Sequence, residues 1–352
     1  MSDHYKIKER LQQVKNFLTP DDSTATSIPF NPDSTKFPTR KELPKIPDAP
    51  EGAAWVWGKD DGLGRLNLLT PMRVKAAASS EIRTGEMVSL NLPLDVPKVP
   101  GFHREQFQHE IKTLLENIAY DDKFKPFSHI PSLTFYNGVK GSEIQGSNQT
   151  LRDSIHHWSN HGIAGRGILL DYYSYAQANG ISYPHFKTYG ITYEELVKCG
   201  KSHGIDIRPE SQGGDIKIGD LLFIRTGFVD AYYKTDPAEW AKVAIRAMDD
   251  PVDPQSWAGV QQEEAMVDWL HDCWFAVVAG DQPSFESWPT KQEYHLHEYL
   301  LALWGCPIGE MFDLEALSKK CQEHKRWTFF VTSSPANCIG GVSSHGNALA
   351  FF

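Results

Sequence analysis

Three stretches of this chain bring histidine and carboxylate side chains to spacings at which they could share a proton or a cation. In "EYHLHEYLLALWGCPIGEMFDLE", His295 and His297 alternate, and Glu310 follows after one helical stretch and a Gly-Cys-Pro break. A histidine on a helix and a glutamate just past its end can converge on one divalent cation, since imidazole and carboxylate both suit Zn or Mn. A helix-capping glutamate beside a surface histidine reads the same way, so both explanations stand. In "AYDDKFKPFSHIP", Asp121, Asp122 and His129 share a Pro-containing segment. Adjacent carboxylates point in different directions, and solvated loop charge accounts for them as well as a dyad does. In "IHHWSNHGIAGRGILLDYY", His157 and His161 stand four apart, which on a helix would put both rings on one face. Asn160, Gly162 and Gly165 argue against a continuing helix there, so polar loop histidines are expected.

The glycines of "GIAGRG" run in the order G-x-x-G-x-G and precede an apolar strand. A dinucleotide loop needs them after a strand and at the start of a helix, where phosphate meets the helix N-terminus. The phosphate reading therefore fails. Arg225 closes the strand-like "IGDLLFIRTG", where it either pairs with a buried acid or orients an anionic substrate. Asp281 follows "FAVVAG" directly, a usual position for a pocket residue. Trp55, Trp57 and Trp288 offer either flat walls for an aromatic substrate or ordinary core packing.

These residues sit in a chain of 352 residues with 40% hydrophobic composition and a formal net charge of -10. That length buries a substantial core, and the acidic balance argues against nucleic-acid or anionic-membrane partners. The five scattered cysteines contain no CxxC pair, as expected of reduced thiols in a cytoplasmic protein. No apolar run is long enough to span a membrane, and the first residues lack a signal-peptide core.

The positioning elements follow from periodicity. Ile7, Leu11, Val14 and Leu18 mark a short amphipathic helix. A Pro- and Ser-rich stretch then leads to Gly52, so residues 1–51 read as a helix plus extended arm and 52–352 as one catalytic domain. Strands are expected at "EMVSLNLPLDV", "SLTFYNG", "GILLDYY", "GDLLFIRTG", "WFAVVAGD", "WTFFVTSSP" and "ALAFF". Helices are expected at "TYEELVKCGKSHG", "PAEWAKVAIRAM", "QQEEAMVDWLHDC", "HLHEYLLALWG" and "LEALSKKCQEH". Strands and helices interleave only in the second half, which predicts a mixed α/β fold. The segments Ile168–Tyr173, Leu221–Arg225 and Phe275–Ala279 should lie in one central sheet.

Taken together, "GAAWVWGKDDGLGRLNLLTP", "RTGEMVSLNLPLD", "FYNGV", "HHWSNHGIAGRGILLDY", "GDLLFIRTGF", "FAVVAGDQPSFESWP", "LHEYLLALWGCPIGEMFDLE" and "FFVTSSPANCIGGVSS" closely resemble the cyclase family, which includes kynurenine formamidase, and in particular its fungal branch. The matching pieces run in the family's order from Gly52 onward. The resemblance implies a mixed, barrel-like central sheet flanked by helices, a homodimer, and metal-dependent hydrolysis of a small-molecule amide or lactone. It also implies that His297 and Glu310 are metal ligands and that the histidine-rich stretch is the loop and strand following the metal loop.

The family's early signature, His-x3-His-x-Asp-x3-His, is absent. Where it belongs, the chain reads "KFKPFSHIPSLT", and His129 alone stands where the proton-transferring histidine would fall. Asp122 stands nearest to the missing aspartate, at a spacing that does not fit. The resulting expectation is a hydrolase with His129 as proton carrier and a weakly held or absent divalent metal (Zn or Mn) on His297, Glu310 and Asp122. Trp55, Trp57, Arg225 and Asp281 would contact the substrate. Two alternatives remain: a metal-free cyclase, isomerase or dehydratase, and a non-catalytic homologue. The arm before Gly52 has little periodic apolar surface and is expected to pack across a neighbouring subunit.

Overall fold

Short β-branched and aromatic runs bounded by turn residues build the central sheet. The computed structural model describes residues 25–115, 119–125, 135–145 and 148–352. The N-terminal helix expected around Ile7–Leu18 and the expected proton carrier His129 lie outside these residues. The strands are β1 (Met87–Ser89), β2 (Gln108–Leu115), β3 (Ala119–Lys125), β4 (Ile163–Leu170), β5 (Tyr189–Ile191), β6 (Leu221–Ile224), β7 (Ala258–Val260), β8 (Val277–Gly280), β9 (Ile308–Gly309), β10 (Thr328–Ser333) and β11 (Ala348–Phe351). Seven of them form one curled, half-barrel sheet in the order β1-β11-β10-β4-β6-β8-β9, flanked by helices. Pairing is antiparallel from β1 to β4 and parallel from β4 to β9. This is the mixed α/β architecture expected from the sequence.

Side-chain alternation assigns the two faces of the sheet. Ile168, Leu170, Leu222, Ile224 and Val278 pack beneath helices Tyr172–Ala178, Tyr193–Ser202 and Glu264–Asp272. Leu169, Leu221, Phe223, Val277, Ala279, Phe329 and Val331 form a separate cluster on the opposite side. Local signals place the helices: Thr192 and Glu195 cap Tyr193–Ser202 reciprocally, and Asp236 caps Pro237–Ala244. Two glycines of β4 let its neighbours close in. A Cβ on Gly165 would meet Leu221 at 2.8 Å, and one on Gly167 would meet Phe329 at 2.3 Å.

Several boundaries differ from the sequence reading. β4 stops at Leu170, because the Asp171 carboxylate accepts the Ser174 N–H (3.0 Å) and opens the helix Tyr172–Ala178. Phe275 and Ala276 precede β8. Tyr136–Gly138 of the expected strand "SLTFYNG" is a 3-10 turn with Asn137 left-handed (φ 55°), a conformation Asn tolerates; Ser132 to Thr134 are outside the described residues. His156–His161 forms a short helix that Gly162 ends at φ 76°, so the glycines stop a helix there without preventing one.

The described part of the arm before Gly52 makes contacts on the chain's own body: Phe30 and Phe37 pack against Trp57 and Trp274, and Arg40 pairs with Asp268 and Glu264. The Trp274 indole N–H donates to the Pro38 carbonyl (2.9 Å). A few aromatic anchors do what a periodic apolar face would otherwise do.

Candidate active site

The carboxyl ends of the parallel strands carry the site, as is common in α/β sheets. β9 pairs with β8 through Val278–Ile308 and Ala279–Gly309, and Glu310 follows at once. The segment after β8 turns back and brings Glu286 alongside, while His297 precedes the π-helix Glu298–Leu303. His297 Nδ1 lies 2.6 Å from Glu286 Oε1, and its Nε2 lies 3.2 Å from Glu310 Oε1. Glu310 also accepts the Phe285 N–H at 2.9 Å.

Glu286 is fully buried and richly satisfied. It accepts N–H bonds from Leu296 (2.7 Å), His297 (3.0 Å) and the Gln262 amide (2.8 Å). Burial alone would raise its pKa, but His297 and these donors hold it below the usual carboxylate range. For His297, burial favours the neutral ring, yet the two carboxylates outweigh it and push its pKa up to about 10.

His297 and Glu310 line a cavity of about 300 Å³ over the face of the sheet that carries Leu221, Phe223, Val277 and Ala279. Its walls are mainly apolar and include Phe102, Phe107, Trp158, Phe223, Met311 and Phe312. The loop after β10 adds Ser343, Ser344 and His345.

The same geometry tests for a metal. A separation of 3.2 Å between His297 Nε2 and Glu310 Oε1 suits two ligand bonds of about 2 Å meeting near the tetrahedral angle. A buried carboxylate on the other ring nitrogen is the partner that orients metal-binding imidazoles. Two donors therefore fit. Among the described residues, no group of three His, Cys, Asp or Glu side chains is placed to hold a metal ion. Asp122 falls on β3 opposite Ile111. His157 Nε2 meets the Leu151 carbonyl and His161 Nδ1 the Gly162 carbonyl, both at 2.7 Å.

The four expected substrate contacts are not among the residues lining this cavity. Arg225 is engaged with Asp171 and Glu315. Trp55 donates its indole N–H to Ala302 O (2.9 Å), satisfying a carbonyl at the end of the π-helix. Trp57 packs edge-on to Phe30 and Trp274. Asp281 is buried and accepts both the N–H (2.6 Å) and the hydroxyl (2.9 Å) of Thr226. Sequence spacing did not single out Glu286; its one signal was a carboxylate amid the apolar residues of "PSFESWP" after a strand.

Burial pushes Asp281 up to about 6, against the Thr226 bonds and Arg225 that favour its ionised form. A folded-state pKa above the unfolded value means that stability is lost as pH rises from about 4 through 6. The stability difference between Asp281→Asn and wild type should therefore shift toward the variant by about 2 kcal/mol between pH 4 and pH 7.5. Urea titrations at the two pH values measure this; a pH-independent difference would show that Asp281 ionises freely in the fold.

No protein-family model matches the chain, and no curated protein matches it. Solved structures do. The crystal structure of a novel cyclase superposes with a TM-score of 0.70 at 27% identity, covering 85% of this chain and 99% of that one. Isatin hydrolase A from Ralstonia solanacearum gives a TM-score of 0.49 at 16% identity, covering 75% and 91%. Isatin hydrolase A from Labrenzia aggregata, bound to benzyl benzoate, gives 0.48 at 14%, covering 79% and 96%. The first likeness supports the cyclase family.

Proposed function

We propose that this chain is a cyclase-family hydrolase that cleaves the carbonyl–nitrogen bond of a small amide or formamide, or the carbonyl–oxygen bond of a lactone. The observation that carries this reading is the His297–Glu310 pair, held by buried Glu286 in the wall of an apolar cavity. A divalent cation held by His297 and Glu310 would lower the pKa of a bound water. Glu286 fixes the ring of His297, and the apolar walls keep bulk water from the carbonyl. His129 is proposed to deliver the proton to the leaving group, and Asp122 to supply a further ligand.

A second reading has its own support. His297 between two carboxylates is already an acid–base pair, which a metal-free cyclase, isomerase or dehydratase would use. The deciding experiment combines elemental analysis of the purified protein with turnover of N-formyl arylamines, cyclic amides and aryl lactones, with EDTA or added Zn, Mn or Mg. Sub-stoichiometric metal with metal-stimulated hydrolysis is expected. Hydrolysis unaffected by EDTA would remove the metal from the reading. No hydrolysis under any condition would overturn the reading in favour of the metal-free enzyme or a non-catalytic homologue.

A further inference from the structure

We propose that Arg104 is the substrate-recognition residue of this cavity and that the substrate carries a carboxylate apart from the carbonyl that is attacked. The proposal rests on reading the cavity as the active site. Among the described residues lining it, Arg104 is the one with a permanent positive charge. It makes no ion pair with a described carboxylate, and its Nε is buried without a hydrogen-bond partner. Partly or fully buried Arg40, Arg166, Arg225 and Arg326 have an acidic partner, and buried Arg65 and part-buried Arg73 bond to backbone carbonyls away from this cavity. A guanidinium presents a planar fork matched to a carboxylate, so one with no described carboxylate partner, in a cavity with mainly apolar walls, selects for an anion.

The backbone before Arg104 is shaped to deliver it. Phe102 (φ 58°) and His103 (φ 52°) are consecutive left-handed residues without being glycine, a conformation that persists only where the surroundings enforce it. Here buried Gln255 does so, accepting the Phe102 N–H at 2.6 Å while its own amide donates to Ala244 O. Gly101 packs so closely on Trp257 that a Cβ would lie 2.9 Å from the indole. Arg104 then donates its N–H to Gly101 O (3.3 Å), and its guanidinium lies 5.3 Å from the Phe102 ring centre. That ring steadies the group without neutralising it. Glu310 shares the cavity and is matched by His297, which leaves the charge of Arg104 for a ligand.

The test is calorimetric binding of benzoate and of its neutral isostere benzamide, in EDTA so that no metal holds the carboxylate. Wild type should bind benzoate at least about tenfold more tightly than benzamide. Arg104→Gln should lose that preference with benzamide affinity unchanged, and Arg104→Lys should retain part of it. Equal affinities in wild type, or equal losses for both ligands in Arg104→Gln, would overturn the proposal. If Arg104→Gln fails to fold, the wild-type preference and its weakening at high salt decide alone. Because no turnover is read, a benzoate preference persisting in a protein without hydrolase activity would sink the hydrolase reading and leave this one standing.

Discussion

His297→Ala is expected to reduce turnover by about 10²–10⁴-fold with little change in KM, the range for removing a group that acts on the reacting centre. The same variant should bind less Zn or Mn by elemental analysis, since it removes one of the two donors at this site. Its stability should fall as well, because fully buried Glu286 loses the partner that holds its pKa low, although the N–H bonds of Leu296 and Gln262 remain. Glu286→Gln should cost less, about 10–100-fold, as is usual when the partner of a ligating histidine is changed. Wild-type turnover from His297→Ala would move the chemistry elsewhere in the chain.

Arg225→Met should destabilise the fold by about 3–5 kcal/mol, measured by urea unfolding, because it leaves Asp171 buried without its counter-charge. Asp171 has no exposed side-chain surface, and Arg225 holds its pKa low against a burial effect that would raise it. Ser318 and the Ser174 N–H remain as partners, and Glu315 keeps solvent contact, so the loss centres on Asp171. The double variant Asp171→Asn, Arg225→Met should be less damaging than the sum of its parts. A stable Arg225→Met protein with impaired substrate binding would restore the anion-orienting role that the sequence left open for Arg225.

The two arginines show where sequence reasoning succeeds and where it stops. "LLFI" and "VVAG" are continuous apolar runs bounded by turn residues, and such runs have few alternatives to a doubly buried strand. The helix Tyr193–Ser202 announced itself through Thr192 and Glu195 because capping is local. His297 and Glu310 were legible because one short helix and one short strand join them. Glu286 was not, because backbone N–H groups at a turn hold it, and no spacing rule encodes that. Arg225 was found at the right strand end, but whether its partner is a substrate or Asp171 depends on contacts between distant segments. Arg104 lay hidden in a Pro-rich stretch whose course over the cavity is set by Gln255, far along the chain.

The wide turn after His297 makes the site sensitive to a kind of change that substitution scanning never samples. Trp304 donates to Tyr299 across five residues (3.0 Å), so this segment holds more chain per turn than an ordinary helix. Leu300 is buried in its middle, and its far end is pinned by the bonds that Trp55 and Ala54 make to Ala302 and Leu303. Loss of a single residue here would rewind the turn and swing the imidazole by about 100° relative to that anchor. Every residue of the candidate site would still be spelled in the gene, yet its histidine would face away from Glu310, so length in this segment is as much a part of the site as identity.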